Sequence, residues 1–187
     1  MATQRSLLNR MVRASRLEVD LYEEVEADTT ANGQAFVAVL IASVASGIGA
    51  GIAGVRVEGG LWFLWMLLIG LATTLFGWLL WSLLTYWVGT TLFRGPETSA
   101  TYGELLRTIG FSNSPRVLTF FLFIPFIGGI IAFAVSIWVL IAGVIAVRQA
   151  LDFSTWRAIG TCLVGWIPYT LIVLLVRGLV LGGEGLF

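Results

Sequence analysis

Residues 61–93 read LWFLWMLLIGLATTLFGWLLWSLLTYWVGTTLF, a stretch without a single Asp, Glu, Lys or Arg. A helix of this length would reach about 50 Å at ~1.5 Å per residue, whereas the hydrocarbon core of a bilayer is ~30 Å thick. A soluble protein has no use for so long an uncharged helix, so the stretch indicates a membrane span. It is too short for two crossings and a turn. We therefore predict one long helix that is tilted or protrudes from the membrane.

The composition of the whole chain agrees with this interpretation. Of its 187 residues, 58% are hydrophobic and 12% are charged, and the mean hydropathy is +0.92. Soluble domains carry about 25% charged residues, so lipid must solvate most of this surface. The sequence predicts an all-α, polytopic membrane helical bundle that leaves no room for a separate soluble domain.

We divide the chain into three parts. Residues 1–34 form an amphipathic N-terminal arm, cytoplasmic or at the membrane interface; residues 35–182 form the transmembrane bundle, and residues 183–187 form a short C-terminal tail. In the arm, arginines come first and acidic residues follow, along one apolar stripe with helical spacing. This pattern is typical of a helix that lies on the membrane surface or on the bundle.

The number of spans depends on a second uncharged run, Val117–Val147. A turn at residues 125–129 would divide this run and give five spans, whereas an unbroken run gives four. The excess of arginine on one side of the membrane is nearly the same in both topologies, so charge does not decide between them. Pro125, Gly128 and Gly129 favour the turn, because backbone groups freed there would meet water at the membrane surface.

Small side chains dominate the first predicted span, near residues 35–55. Gly47, Ala50, Gly51 and Gly54 fall at small-x-x-x-small spacings, which lets another helix approach closely. We predict that they form a helix-packing face. The same region contains G-x-G-x-x-G, but a dinucleotide site needs that pattern between a strand and a helix, and here it lies inside an apolar span.

Arg116 is the charge that fits a membrane span least well. In the five-span topology it lies well inside the third span, where an arginine is costly. Two interpretations stay open. In the first, Arg116 and Asn113 line a polar cavity, or bind a lipid phosphate or a partner carboxylate. In the second, residues 101–114 lie along the interface and Arg116 extends its charge to water.

The residue content excludes most catalytic chemistry. The chain has no His and a single Cys, Cys162, so the commonest metal ligand and proton carrier is missing and a thiolate cage is impossible. No basic stripe is interleaved with aromatics, so nucleic-acid binding is not predicted. We expect no metal, no cofactor and no enzymatic activity. The acidic part of the arm is interpreted as a solvated face, with Tyr22, Glu23 and Glu24 as a candidate docking site for a partner.

Three pieces of the sequence follow one another in a familiar order. The arm ends in LYEEVEAD at residues 21–28, YGELLR at residues 102–107 runs on to Pro115, and PFIGG at residues 125–129 precedes Trp138 and the connector from Arg148 to Arg157. With these pieces in this order, the chain resembles the Yip family of Ypt/Rab-interacting membrane proteins in its compact bacterial form, and the resemblance extends over about residues 17–176.

The resemblance implies five spans, a cytoplasmic N-terminus and a short C-terminus on the far side, as in a multi-pass protein of a bacterial inner membrane. Eukaryotic members act in secretory traffic and contact prenylated small GTPases, but contact with a small GTPase is not expected without their long N-terminal tail. We expect a membrane organiser or an accessory subunit of a larger membrane complex, which contacts lipid and other membrane subunits through its helices. A transporter or channel for a small solute or lipid is the alternative.

Overall fold

A computed structural model describes residues 6–58, 60–95 and 98–181; the side chains of residues 53–60, 62, 66, 173–174 and 176–181, and the predicted tail at 183–187, lie outside that description. In the described part the chain is helical and holds no strand. The helices follow in the order α1 (Leu7–Ser15), α2 (Val19–Ala27), α3 (Ala31–Glu58), α4 (Gly60–Thr91), α5 (Tyr102–Ser112), a 3₁₀ helix (Ser114–Phe123), α6 (Ile127–Ala150) and α7 (Thr155–Leu181).

The arm is a helical hairpin, and not the single helix that its apolar stripe predicted. The hairpin turns at Leu17, which has a φ of 60°. The N–H of Leu17 bonds to the carbonyl of Ala14 at 3.0 Å, and the N–H of Glu18 bonds to the carbonyl of Arg13 at 3.1 Å. These two bonds form a Schellman motif, which ordinarily carries glycine at the left-handed position. The turn lets the apolar stripes of α1 and α2 both face the bundle.

The long hairpin of the bundle consists of α3 and α4. The uncharged run forms one helix, α4, of 32 residues. The two helices approach closely where α3 carries small residues. A Cβ built on Gly47 would lie 2.9 Å from Cδ1 of Leu67, and one on Gly51 would lie 2.6 Å from Cδ2 of Phe63. A larger side chain at Gly47 would also meet the backbone of Leu67, whose Cα lies 3.1 Å from the added Cβ, whereas one at Gly51 would meet the ring of Phe63.

The helix α5 and the 3₁₀ helix follow one another with only Asn113 between them. A capping box begins α5: the hydroxyl of Thr101 accepts from the N–H of Glu104, and the carboxylate of Glu104 accepts from the N–H of Thr101. Pro115, at the start of the 3₁₀ helix, has no N–H to continue an α-helix. At ~1.5 and ~2.0 Å per residue the two helices together reach about 36 Å.

The 3₁₀ helix packs against α3 at Gly49. The carbonyl oxygens of Thr119 and Phe120 come so close to Gly49 that a Cβ there would meet both of them. Nearby, the hydroxyls of Ser46 and Thr119 lie 2.6 Å apart in a hydrogen bond. Backbone therefore packs directly on backbone at this point, which only glycine allows.

The chain reverses direction between the 3₁₀ helix and α6. Phe126 lies at the turn with a φ of 67°, and its side chain is 98% exposed. Gly128 lies against the carbonyl of Leu122 and has no space for a Cβ, whereas Gly129 has open space around it. The exposed Pro125 precedes the turn, and the two glycines belong to the first turn of α6.

Three helical stretches of the described residues are long and apolar enough to cross a membrane: Ala31–Ile52, Phe63–Thr91 and Ile127–Ala150. Large apolar side chains on the outer surface of the bundle are exposed, among them Leu64, Leu68, Ile130, Phe133, Leu140, Leu163 and Leu171. So much exposed apolar surface is stable only in contact with lipid or with other proteins.

Candidate functional site: the arm-docking network

Arg10 is the most enclosed charged side chain that the structure describes, with 1% of its surface exposed. Its guanidinium donates to three acceptors: Oε1 of Glu24 at 3.0 Å, Oε1 of Gln34 at 3.0 Å and Oδ2 of Asp28 at 2.7 Å. Burial of an arginine without such partners would be strongly unfavourable. Arg10 therefore fastens α1 to α2 and to the first turn of α3.

Arg13 adds a second guanidinium to the same cluster. It forms ion pairs with Glu18 at 3.0 Å and with Glu24 at 2.6 Å. Partial burial acts to raise the pKa of Glu24, but the hydrogen bonds from Arg13 and Arg10 outweigh it and lower that pKa. Hydrogen bonds from Thr30 and from Arg10 lower the pKa of Asp28 to about 2. Both carboxylates are thus ionised at neutral pH.

Arg107 of α5 attaches the end of α2 to the bundle. Its side chain is 4% exposed. Nε donates to the carbonyl of Val25 at 2.9 Å, Nη2 donates to the carbonyl of Glu26, and Nη1 donates to Oδ1 of Asn32 at 3.4 Å. The last carbonyls of a helix have no partners within the helix and carry partial negative charge. Arg107 both satisfies them and complements that charge.

Glu26 lies half-buried at the same junction. Burial and the nearby carboxylates of Asp152 and Glu104 raise the pKa of Glu26 to about 7, against the opposing attraction of Arg107. The carboxyl group therefore changes its charge near neutral pH. We call Arg10, Arg13, Glu24, Asp28 and Arg107 the arm-docking network, and Glu26 is the titratable group beside it.

Two further hydrogen bonds fix the arm along α6. Nε1 of Trp138 donates to the carbonyl of Ser15 at 2.8 Å, and Nε2 of Gln149 donates to Oε1 of Glu23 at 2.8 Å. The first bond lies at the hairpin turn and the second lies along α2. The arm is therefore fastened to α6 at two separate levels.

The structure places the three predicted docking residues in different surroundings. Tyr22 is fully buried, and its hydroxyl donates to the carbonyl of Ala14 at 3.4 Å. Glu24 belongs to the arm-docking network. Glu23 is exposed, although it bonds to α6, and its neighbour Asp20 is also exposed. The outward face of α2 is thus acidic, while Tyr22 stabilises the hairpin from within.

Asn113 and Arg116 lie one turn apart at the break between α5 and the 3₁₀ helix. Asn113 is buried, and its Nδ2 donates to the carbonyl of Ile109 at 2.8 Å. The side chain of Arg116 is exposed. The hydrogen bonds of the described residues include none between the two side chains, and a shared polar cavity stays a prediction.

The residues of the predicted helix-packing face also lie in different surroundings. Gly47 and Gly51 lie at the contact between α3 and α4. Ala50 is exposed, and the side-chain surroundings of Gly54 lie outside the described residues. Gly49, which was not part of the predicted face, makes the closest backbone contact with the 3₁₀ helix.

Sequence reasoning missed the arm-docking network, because it treated the arginines of the arm as a run of like charges. A signal was present. Arg10 and Arg13 lie three residues apart, and Glu24 and Asp28 lie four residues apart, which places each pair on one side of its helix. Only a hairpin brings the two pairs face to face, and Leu17 gave no sign of the turn.

The chemistry of this site is that of binding and positioning. The described residues contain no group of three or more His, Cys, Asp or Glu that could hold a metal ion. Cys162 is a free, buried thiol. What the site does provide is a charged, hydrogen-bonded joint between the arm and three helices of the bundle, α3, α5 and α6.

The helical architecture, the three membrane-length helices and the apolar outer surface define an integral membrane protein of the helical-bundle class. The family model of the Yip1 domain matches residues 19–178. The chain therefore belongs to the Yip1 domain family, which confirms the resemblance to the Yip family seen in the sequence. No curated protein and no solved structure matches the chain.

Proposed function

We propose that this Yip1-domain protein is a non-enzymatic, five-span membrane protein that organises its own membrane or serves as an accessory subunit of a larger membrane complex. Its bundle lies in a bacterial inner membrane, and its N-terminus is cytoplasmic. Its partners are lipids and other membrane subunits. It acts through surfaces of fixed shape.

The path of α5 and the 3₁₀ helix supports five spans. A Cβ on Gly110 would lie 2.8 Å from Cβ of Ala35, and further along, Thr119 contacts Gly49. The contact thus moves along α3 by about 21 Å, taken as ~1.5 Å per residue. After the turn at Phe126, α6 returns to the arm, where Gln149 bonds to Glu23. Two crossings here, added to α3, α4 and α7, make five.

The observation that carries the proposal is the enclosed guanidinium of Arg10. A charged group held by three acceptors fixes the arm in one position, and the arm then presents exposed Arg16, Asp20 and Glu23 in a constant arrangement. A surface that is ordered before binding loses little conformational entropy when a partner docks. The outward face of the arm is therefore the proposed partner surface.

Native mass measurement after gentle detergent extraction tests this proposal. We expect the wild-type protein in a discrete hetero-complex, and we expect Arg10→Gln to lose the partner because the arm is released. Arg94→Gln removes the same charge from an exposed arginine outside the arm and should keep the complex. Limited proteolysis reports release of the arm independently. A wild-type protein found only as a monomer or dimer, or a complex that survives in Arg10→Gln with a cleaved arm, would contradict the proposal.

A transporter or channel for a small solute or lipid is the second candidate. The break at Asn113 and Pro168 inside α7 favour it, because interrupted helices form substrate sites in many transporters. This candidate requires that the purified protein, alone in vesicles, mediates uptake. The subunit proposal requires that it does not.

A further inference from the structure

An exposed guanidinium lies among apolar side chains on the 3₁₀ helix. Arg116 is exposed, and Leu118 and Phe121 of the same helix are 40% and 42% exposed. Exposed apolar side chains on a membrane span contact lipid or another membrane protein. Arginine keeps its proton in proteins, so this surface carries a permanent positive charge.

In the proposed five-span topology, Arg116 lies near the middle of the bilayer. It falls between two contacts with α3: Gly110 packs on Ala35, and the hydroxyl of Thr119 bonds to that of Ser46. Its level is therefore about 11 Å beyond Ala35 at ~1.5 Å per residue. In the other direction the 3₁₀ helix continues for about 14 Å at ~2.0 Å per residue. Each distance is close to half of the ~30 Å hydrocarbon core.

No carboxylate of the described residues acts on Arg116. The described acidic side chains lie in the arm, in the first turn of α5 and in the α6–α7 connector. The one nearest the hairpin turn, Glu18, is already paired with Arg13 at 3.0 Å. The described ionisable group that does interact electrostatically with Arg116 is Tyr169 of α7. A phenol is neutral at pH 7 and can donate a hydrogen bond, so Arg116 has no counter-ion in this part of the chain.

Three further acidic residues have side chains outside the described part. Glu58 ends α3, about 18 Å beyond Ser46 at ~1.5 Å per residue, which is farther than the two side chains can span. Glu97 belongs to the connector from α4 to α5, at the end of the bundle that holds the arm. Glu184 follows α7 in the sequence, and a variant of it is part of the test.

The depth of Arg116 limits the anions that can reach it. Arginines near the end of a span extend their charge to the interface, but Arg116 is distant from both ends. Phospholipid phosphates lie outside the hydrocarbon core, so they are distant as well. A carboxylate on a neighbouring transmembrane helix can be placed at this depth, and its two oxygens match the paired N–H groups of arginine.

We propose that Arg116 pairs with a carboxylate of a second membrane protein, an Asp or Glu near the middle of one of its spans, with the hydroxyl of Tyr169 as a further donor. Ionisable residues inside a membrane are almost always paired in this way. The described acidic residues of this chain lie elsewhere, so the partner is a different protein and not a second copy. The inference rests on the accessory-subunit proposal and names the chemistry of the partner.

The test uses the full chain in phosphatidylcholine vesicles and a synthetic probe. The probe is a leucine-rich transmembrane peptide of about 20 residues with one Asp at its centre. Energy transfer between labelled protein and labelled peptide measures binding. The wild type should bind this peptide about tenfold or more tightly than the same peptide with Leu at the centre, because a hydrogen-bonded charge pair forms. A peptide with the Asp near one end should bind like the Leu peptide.

Variants of the protein assign the effect to Arg116. Arg116→Gln should lose the preference for the central Asp, whereas Arg94→Gln, which removes an exposed arginine beyond the end of α4, should keep it. Tyr169→Phe should weaken the preference several-fold. Arg116→Glu should instead prefer a peptide with a central Arg, which a merely structural role of Arg116 would not produce. Glu184→Gln should behave like the wild type.

Three results would overturn the pairing. The first is equal binding of the central-Asp and Leu peptides by the wild type, which requires no variant to fold. The second is a gain of Asp-peptide binding in Glu184→Gln, which would show that Arg116 pairs within its own chain. The third is retention of phosphatidylglycerol that depends on Arg116 while the Asp peptide is not preferred, which would assign the charge to lipid.

The peptide assay separates this inference from the accessory-subunit proposal, because it needs no native partner. A native hetero-complex that survives in Arg116→Gln, with no preference for the Asp peptide, would overturn the pairing and leave the subunit proposal intact. Asp-dependent binding by a protein that is found only as a monomer or dimer would support the pairing chemistry and contradict the subunit proposal.

Discussion

At the scale of single residues, docking of the arm depends on two carboxyl groups whose pKa values are shifted in opposite directions. Asp28 is hydrogen-bonded by Thr30 and Arg10, and its pKa is about 2. Glu26 lies among other carboxylates, and its pKa is about 7. Because the pKa of Asp28 is lowered, its carboxylate stabilises the docked arm at any pH above the ordinary pKa of 3.8. This stabilisation is lost as the pH falls from 3.8 toward 2. Glu26 behaves in the opposite way.

The first prediction concerns Glu26→Gln. The pKa of Glu26 is raised from 4.5 to about 7 in the docked arm. Docking therefore becomes less stable as the pH rises above 4.5, and this loss of stability is complete above about pH 7. Amide exchange of α1 and α2, corrected for the intrinsic rate, should accelerate several-fold between about pH 6 and about pH 8 in the wild type, below the roughly tenfold limit that linkage sets. Glu26→Gln should be insensitive to pH in this range.

The control for this prediction is Asp20→Asn, which removes an exposed carboxylate from the same helix. It should keep the pH response of the wild type. A response of equal size in Glu26→Gln and the wild type would show that another group titrates. The groups facing Glu26 are Asp152, Glu104, Glu23 and Arg107, and variants of these would then be examined.

At the scale of secondary-structure elements, backbone contact replaces side-chain packing at two places. The carbonyls of the 3₁₀ helix lie on Gly49, and the carbonyl of Leu122 lies on Gly128. In lipid, helices gain little from the hydrophobic effect between them, so close approach supplies van der Waals contact instead. The 3₁₀ helix is long for its type. Its contacts with α3 and α6 compensate for its weaker internal hydrogen bonds.

The second prediction compares two alanine substitutions of helical glycines. Gly49→Ala should lower the free energy of unfolding by about 1–3 kcal/mol, because the new methyl group meets backbone oxygens that cannot rotate away. Gly143→Ala has open space around it and should be neutral or stabilising by less than about 1 kcal/mol, because alanine favours the helix. Unfolding in mixed micelles with increasing dodecyl sulfate measures both. Equal stabilities would contradict the described contact between α3 and the 3₁₀ helix.

Sequence reasoning performed best where a strong physical requirement acts on one element alone. The uncharged run of α4 and the break near Pro125 were readable because lipid excludes charge and proline lacks an N–H. The turn at Leu17 could not be predicted, because leucine rarely adopts a positive φ. The turn forms because it lets the apolar stripes of α1 and α2 both pack on the same bundle, which is a tertiary effect. The partners of Arg10 depend on that turn, so the arm-docking network could not be predicted either.

At the scale of the whole molecule, the same end of the bundle holds the arm, the α4–α5 connector and the α6–α7 connector. Leu151 lies against Gly89, and Phe93 lies against Gly160, so the two connectors are packed on neighbouring helix ends. The exposed turn at Phe126 lies at the other end of α6. Five crossings predict that these two ends face opposite compartments.

The third prediction tests this topology with single cysteines in a Cys162→Ala background, which replaces a buried thiol by another small residue. In intact cells an impermeant maleimide should label Phe126→Cys. It should label Ser154→Cys and Thr29→Cys, both at exposed positions, only after the membrane is opened. Labelling of Ser154→Cys in intact cells, with no labelling of Phe126→Cys, would instead support four crossings.

The attachment of the arm also has a consequence for biogenesis. Ser15 accepts from Trp138, 123 positions later, and Glu23 accepts from Gln149, 126 positions later. Translation proceeds at about 5–20 residues per second, so the earliest-made hairpin waits for roughly 6–25 s before those donors exist. Arg10 and Arg13 can pair with Glu24 and Asp28 as soon as α2 has been made, but the hairpin cannot bond to α6 during that interval. Seating of the hairpin is then among the last events of maturation, after α6 has entered the bilayer.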